Sequence, residues 1–202
     1  LFLNADGTSI DTSIYAGQPI DKAYRWESVY DSFMESLDGL VSAGMIGEWK
    51  SFGYDWRKPI AEVVAGRQQR ATTTESLIEA VESLASRSKT GKVTLVAHSN
   101  GGLVAKYLVK SLADMGKENL IDSMISVAVP YLGTPQSILA LLHGDNQAIL
   151  GGLLLKKNVA KELGTNMASA YSLLPSATYF SRMFGPTIAF ASATMTPITS
   201  AP

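Results

Sequence analysis

The ten residues Val93-Thr94-Leu95-Val96-Ala97-His98-Ser99-Asn100-Gly101-Gly102 hold the strongest structural signal in the chain. Val93 to Ala97 is a β-branched apolar run of strand length. A helical pattern begins directly after the turn, with Leu103, Val104, Tyr107, Leu108 and Leu112 on one stripe and Gly116 placed to cap its end. A buried strand, a sharp corner carrying a serine, and a helix leaving the corner form the context of a nucleophile elbow. The two backbones approach closely there, so small residues are needed two positions to either side of the serine. Ala97 and Gly101 meet that need, Ala97 standing where glycine is more usual. Such a turn holds Ser99 in a strained conformation with its hydroxyl raised above the sheet. The backbone N–H of Asn100, at the helix start, is then able to donate to a developing oxyanion. A glycine-rich turn without chemistry is the competing reading. A phosphate loop fits less well, because no Gly-Lys-Ser/Thr comes after it. His98 is adjacent to the serine, but neighbouring residues on an elbow point in different directions. It is expected to pack beside the strand and is not assigned a catalytic role.

Working outward, residues 121–129 form a second candidate for a buried strand. Upstream, Val29, Phe33, Leu37, Leu40, Val41 and Met45 fall on one helical stripe ended by Gly44 and Gly47. Residues 49–54 read as a short strand, and Pro59 breaks the next segment. Thr72 and Glu75 have capping-box spacing ahead of a helix whose apolar face is Leu77, Ile78, Val81, Leu84 and Ala85, with Gly91 at its end. Residues 1–21 read as irregular. Helices alternating with short apolar strands predict an α/β fold with a parallel sheet and helices on both faces. From Pro130 the alternation stops and Gly, Ser, Thr, Pro and Leu dominate, with an apolar cluster at Leu150, Leu153, Leu154 and Leu155. That region reads as a cap or lid over the sheet's carboxyl edge, or as an ordinary helical excursion packed in the core.

Composition narrows the function classes. The chain has 202 residues, 46% hydrophobic and 17% charged, with a net charge of -1. This suits one domain, or a domain and a lid. It argues against a basic nucleic-acid binder and against disorder. No apolar run reaches the length of a transmembrane segment. There is no cysteine, which excludes thiolate chemistry, and His98 and His143 are the two histidines, which argues against a multi-histidine metal site. No cofactor or metal is implied.

Gly53-Tyr54-Asp55-Trp56-Arg57, followed by a helix and then Leu95-Val96-Ala97-His98-Ser99-Asn100-Gly101-Gly102, resembles the lecithin:cholesterol acyltransferase family of α/β-hydrolases. Pro130-Tyr131-Leu132-Gly133-Thr134-Pro135 is similar to the family's loop after the sixth strand. Ser169-Ala170-Tyr171-Ser172-Leu173-Leu174-Pro175 is similar to its lid segment. The elbow is shared by many hydrolases, whereas Tyr-Asp-Trp-Arg at this distance before it is more specific. The resemblance covers about residues 26–180. It implies a mostly parallel α/β-hydrolase sheet with flanking helices and a partial cap or lid, truncated at both ends. Residues 1–130 would be the central part of the core and 131–202 the cap-like region. It also implies acyl transfer through a serine ester: Ser99 attacks a lipid or other acyl ester, and the acyl group passes to water or to an alcohol. Lipid-active members of such families are often secreted or membrane-associated.

Asp55 and Arg57, two apart at a strand end, would share one side and brace a loop as a hydrogen-bonded pair, while Tyr54 and Trp56 would offer apolar area on the other. The fold's order is serine, acid, histidine. After Ser99 come Asp114, Glu118 and Asp122, expected at the wrong edge of the sheet, and Asp145, Glu162 and His143 in the lid-like region. None is assigned, and the glycine-rich loop that would supply a second oxyanion N–H is missing. The triad acid and base are therefore expected to lie outside this chain. The chain by itself is expected to be several powers of ten slower than its parent. A non-catalytic hydrolase-fold module that binds lipid or protein partners is the alternative function.

Overall fold

The computed structural model describes residues 2–17, 22–23, 27–69, 74–144 and 157–183. They fall into two compact units. One comprises residues 15–56 and 61–127, and the other residues 1–14, 57–60 and 128–202.

In the first unit β1 (Lys22–Ala23) and β2 (Glu27–Ser28) pair antiparallel and lead into α1 (Asp31–Ser42). Gly44, at φ +69°, lies just past the helix end. The apolar stripe foreseen on α1 is present in the sequence, but the helix buries no residue, and Met45 beyond it is 72% exposed. Residues 49–54 are irregular, not the strand that their composition suggests. A strand exists only where a neighbour supplies a repeating ladder, and among the described residues no ladder includes this segment; Gly53 also lowers the local preference. Pro59 does not break structure but immediately precedes α2 (Ile60–Ala65), whose Val63 and Val64 are buried. Proline's fixed φ and missing N–H suit a helix start.

β3 (Arg67–Gln69) and β4 (Thr74–Ser76) form an antiparallel pair ahead of α3 (Leu77–Arg87). The capping box of α3 is Ser76 with Glu79, not Thr72 with Glu75. Ser76 Oγ accepts from the Glu79 N–H at 3.1 Å, and Glu79 Oε2 accepts from the Ser76 N–H at 2.7 Å. Both pairs match the motif's spacing. Glu75 belongs to β4, while Ser76 directly precedes the first apolar residue. Thr72 lies outside the described residues. The bond from the Ser76 N–H, foremost, holds the Glu79 carboxyl below its ordinary pKa. Its contribution is therefore complete at neutral pH and fades as acid passes through the lowered value. Ser76→Ala, which deletes the Oγ that accepts from the Glu79 N–H, is expected to cost about 1 kcal/mol in urea unfolding at pH 7.

The centre of this unit is β5 (Val93–His98), paired parallel with β6 (Ile121–Val127), and α4 (Asn100–Asp114) leaving the carboxyl end of β5. Val96 lies opposite Ile125 and His98 opposite Val127. α4 packs on both strands through Gly102, Val104, Ala105, Leu108 and Leu112, and α3 lies beside it with Ala80, Val81 and Ala85 buried. The end of α4 is a Schellman motif. Gly116 sits at φ +67°, its N–H bonds Ala113 O at 3.0 Å, and the Lys117 N–H bonds Leu112 O at 2.8 Å. The short 3-10 turn Glu118–Leu120 then enters β6. The expectation of buried strands is corrected for one face. Val96, Ile125 and Val127 are 47%, 51% and 46% exposed, because α3 and α4 cover only the side that carries Ala97. Among the described residues the parallel ladder has these two strands, and the other two pairs are antiparallel.

The second unit contains α5 (Pro135–His143), α6 (Lys157–Thr165), α7 (Ala168–Tyr171) and α8 (Ala177–Arg182). Gly144, at φ +61°, closes α5 by donating to Ala140 O at 2.8 Å. The N-terminal segment is irregular as expected, apart from one antiparallel bridge between Leu3 and Ser9, and Asn166 Nδ2 ties it down by donating to Leu3 O at 2.9 Å. The leucine cluster at 150–155 lies outside the described residues.

Two segments that the sequence marks separately are bound to each other here. The Thr134 N–H donates to Leu173 O at 2.8 Å, and the Ser176 N–H donates to Leu132 O at 2.9 Å. Ser137 Oγ donates to Thr134 O at 2.6 Å and reaches Leu173 O at 2.9 Å. Gly133 lies inside this clasp at φ +83°, with the carbonyl of Leu174 where a side chain would begin.

Candidate active site

Ser99 stands between β5 and α4 at φ 51°, ψ −127°. That region is costly for any residue with a Cβ, by about 1–3 kcal/mol, and persists only where the surroundings over-determine it. Two bonds fix it. The Ser99 N–H continues the parallel ladder one step past β5 by donating to Val127 O at 2.9 Å, and Ser99 O accepts from the Gly102 N–H at 3.0 Å. The chain is thus locked to a strand on one side and to a helical turn on the other, and Ser99 must take up the change of direction. Its side chain does not cap the helix. Ala97 and Gly102 are buried, Ser99 and Asn100 half-buried. A Cβ at Gly101 would lie 3.9 Å from the Tyr54 hydroxyl, so the first turn of α4 is in close company.

Asn100 is the first residue of α4, and its N–H belongs to the group for which a helix offers no internal acceptor. It follows Ser99 directly, at the positive end of a 15-residue helix. Its side chain meets Tyr54, Nδ2 approaching the hydroxyl at 3.5 Å, while Oδ1 is buried without a hydrogen-bond partner. Burial, foremost, pushes the Tyr54 hydroxyl above its ordinary pKa, so it remains protonated at neutral pH. The sequence assigned Tyr54 only apolar area. Nothing in a one-dimensional pattern signals that its oxygen reaches a helix 46 residues later. Trp56, grouped with it, is 53% exposed.

His98 is exposed on the uncovered side of β5, with Nδ1 2.8 Å from the Tyr30 hydroxyl and the rings edge to face at 5.9 Å. Arg57 is almost fully buried, with Nη1 and Nη2 3.3 and 3.4 Å from Ser9 Oγ. The Asp55 N–H donates to Oε1 of the buried Gln68 at 3.2 Å, and Gln68 Nε2 donates to Val63 O at 3.4 Å. These bonds make the Tyr-Asp-Trp-Arg segment a braced loop.

Asp114 ends α4 paired with Lys110 at 2.5 Å, Glu118 opens the 3-10 turn, and Asp122 begins β6. All three lie toward the amino end of the ladder, away from Ser99. His143, exposed, ends α5, Glu162 is exposed on α6, and Asp145 lies outside the described residues. Among the described residues no group of acidic residues and histidines could hold a metal ion, and no helix is long and apolar enough to cross a membrane.

Comparison with known proteins gives a family match over most of the chain. It is 27% identical over 84 residues to the lysosomal phospholipase A and acyltransferase of Mus musculus, which is 41% of this chain and 20% of that protein. The Homo sapiens protein of the same name gives the same identity and coverage. It is 26% identical over 149 residues to the phosphatidylcholine-sterol acyltransferase of Gallus gallus, 72% of this chain and 34% of that protein. The chain thus spans a fifth to a third of the length of these curated relatives. The family model described as lecithin:cholesterol acyltransferase matches residues 9–200, which include the elbow, the braced loop and the clasp, and the chain belongs to that family.

Proposed function

We propose that this chain carries the nucleophile of a serine acyl hydrolase or O-acyltransferase acting on lipid esters. Ser99 Oγ attacks the acyl carbonyl and the Asn100 N–H donates to the oxyanion. The alcohol of the ester leaves with a proton, and the acyl group stays on Ser99 until water or a second alcohol takes it. The observation that carries this reading is the left-handed backbone of a non-glycine residue, Ser99, between a parallel strand and a helix. Strain at a serine in that position is understandable if the hydroxyl must stand clear of the sheet. Relatives named as a phospholipase and as acyltransferases support lipid esters as the substrate class. Family membership supports an α/β-hydrolase fold with a mostly parallel sheet. We read 131–202 as the cap-like region and 1–130 as the central part of the core on the family resemblance; the clasp between residues 130–135 and 173–176 lies within one compact unit. No general base is assigned to His98 or His143.

The test is turnover of a diacyl phospholipid by the full-length protein, with and without a long-chain alcohol. Release of fatty acid, or formation of a new alkyl ester when the alcohol is present, is expected. Phospholipid left intact under both conditions would overturn the proposal.

A further inference from the structure

We propose that Tyr54 is a positioning residue of the elbow, its hydroxyl holding the Asn100 carboxamide and through it the first turn of α4. The inference rests on the reading of Ser99 as nucleophile and assigns a residue that acts through another. Three observations on different atoms converge. The Asn100 Nδ2 lies 3.5 Å from the Tyr54 oxygen. The same oxygen lies against Gly101, near enough to touch a methyl placed there. The Asn100 Oδ1 is buried and has no partner.

An unpartnered buried amide oxygen beside a strained serine needs a physical reason. A hydroxyl can accept from an amide and can equally donate to one. A half-turn of the Asn100 carboxamide lets the Tyr54 O–H satisfy Oδ1, and in either orientation the link is between the same two residues. Tyr54 is suited to the task. Its loop is anchored next door by the bond from the Asp55 N–H to Gln68, and burial keeps its proton in place. Ser99 is already held by Val127 and Gly102 along the chain direction. The Tyr54 contact restrains the turn from the side, where neither bond acts. The residue whose N–H must meet the oxyanion is thereby held before substrate arrives, which is what preorganised stabilisation requires.

The test uses the full-length protein with a soluble p-nitrophenyl ester. Tyr54→Phe, which deletes one oxygen, is expected to lower kcat about tenfold with KM unchanged, because the interaction matters only in the transition state. Asn100→Ala is expected to do the same. The double variant should be no slower than the slower single variant, since both remove one link. Wild-type kcat in Tyr54→Phe, or losses that multiply in the double variant, would overturn the inference.

A readout independent of turnover separates this from failure of the nucleophile assignment. With selective 15N-asparagine labelling, the Asn100 backbone and carboxamide resonances should move in Tyr54→Phe, and the backbone N–H should exchange faster. If Ser99→Ala retained activity, the assignment of Ser99 would fall while these resonances still decided the Tyr54 link. Unmoved resonances would overturn it.

Discussion

Ser99→Ala is expected to abolish ester turnover by the full-length protein, by about 10⁴-fold or more, with the fold intact. The size comes from the chemistry. A methyl has no lone pair to form an acyl ester, and what remains is the contribution of oxyanion donors and substrate binding. The fold should survive because alanine carries the same Cβ as serine. The strain at φ 51° is neither relieved nor increased, and the Ser99 side chain makes no cap bond that could be lost. Ser99→Gly sharpens the prediction. Glycine occupies left-handed backbone readily, so this variant should be equally inactive yet more stable, by about 1 kcal/mol or more in urea unfolding. Stability gained together with activity lost marks strain kept for function. An active Ser99→Ala enzyme would show that the strain serves something other than acyl transfer.

Gly133→Ala is expected to have the largest effect on stability, about 3 kcal/mol or more. An added Cβ would lie 2.1 Å from Leu174 O, 2.5 Å from the Leu174 carbonyl carbon and 2.7 Å from Pro175 Cα. All three are backbone atoms, so no rotamer change can make room. The segments must separate, and separation breaks the bonds from Thr134 to Leu173 and from Ser176 to Leu132. The left-handed φ of +83° adds its own cost. Gly91→Ala is the control, with φ +69° but open space around it. It should cost only about 1 kcal/mol. Hydrogen exchange should localise the damage in Gly133→Ala to residues 130–135 and 173–176. Equal losses in the two variants would mean that backbone conformation, not the clasp, sets the requirement.

The parts of the fold that could be read from the sequence are those in which local pattern and final contact coincide. The β-branched run and the corner describe β5 and the elbow. Three of the five stripe residues, Val104, Leu108 and Leu112, lie on the buried face of α4, while Leu103 is half-buried and Tyr107 exposed, and Gly116 ends that helix as expected. Each is specified within a few residues. The misreadings arise where a motif occurs twice or where a partner is remote. Thr72 with Glu75 and Ser76 with Glu79 satisfy the same spacing, and only the position of β4 separates them. Residues 49–54 have strand-like composition but join no ladder among the described residues, which no local pattern could reveal. Phe33 of α1 and the side chains of Val96, Ile125 and Val127 are correctly identified as apolar yet exposed, and Leu37, Leu40 and Val41 are only half-buried, because burial depends on what lies opposite. The site divides in the same way. The corner at Ser99 is a local feature, whereas the meeting of Tyr54 with Asn100, the bond from Arg57 to Ser9 and the clasp at Gly133 join distant segments.

The most direct measurement is to treat the full-length protein with a fluorophosphonate ester and map the adduct by peptide mass spectrometry. A single phosphonyl group is expected on Oγ of the serine between His98 and Asn100, together with loss of esterase activity in proportion to labelling. Stoichiometric inactivation with the adduct on any other residue, or full activity after the probe has been consumed, would contradict the assignment of Ser99 as the nucleophile.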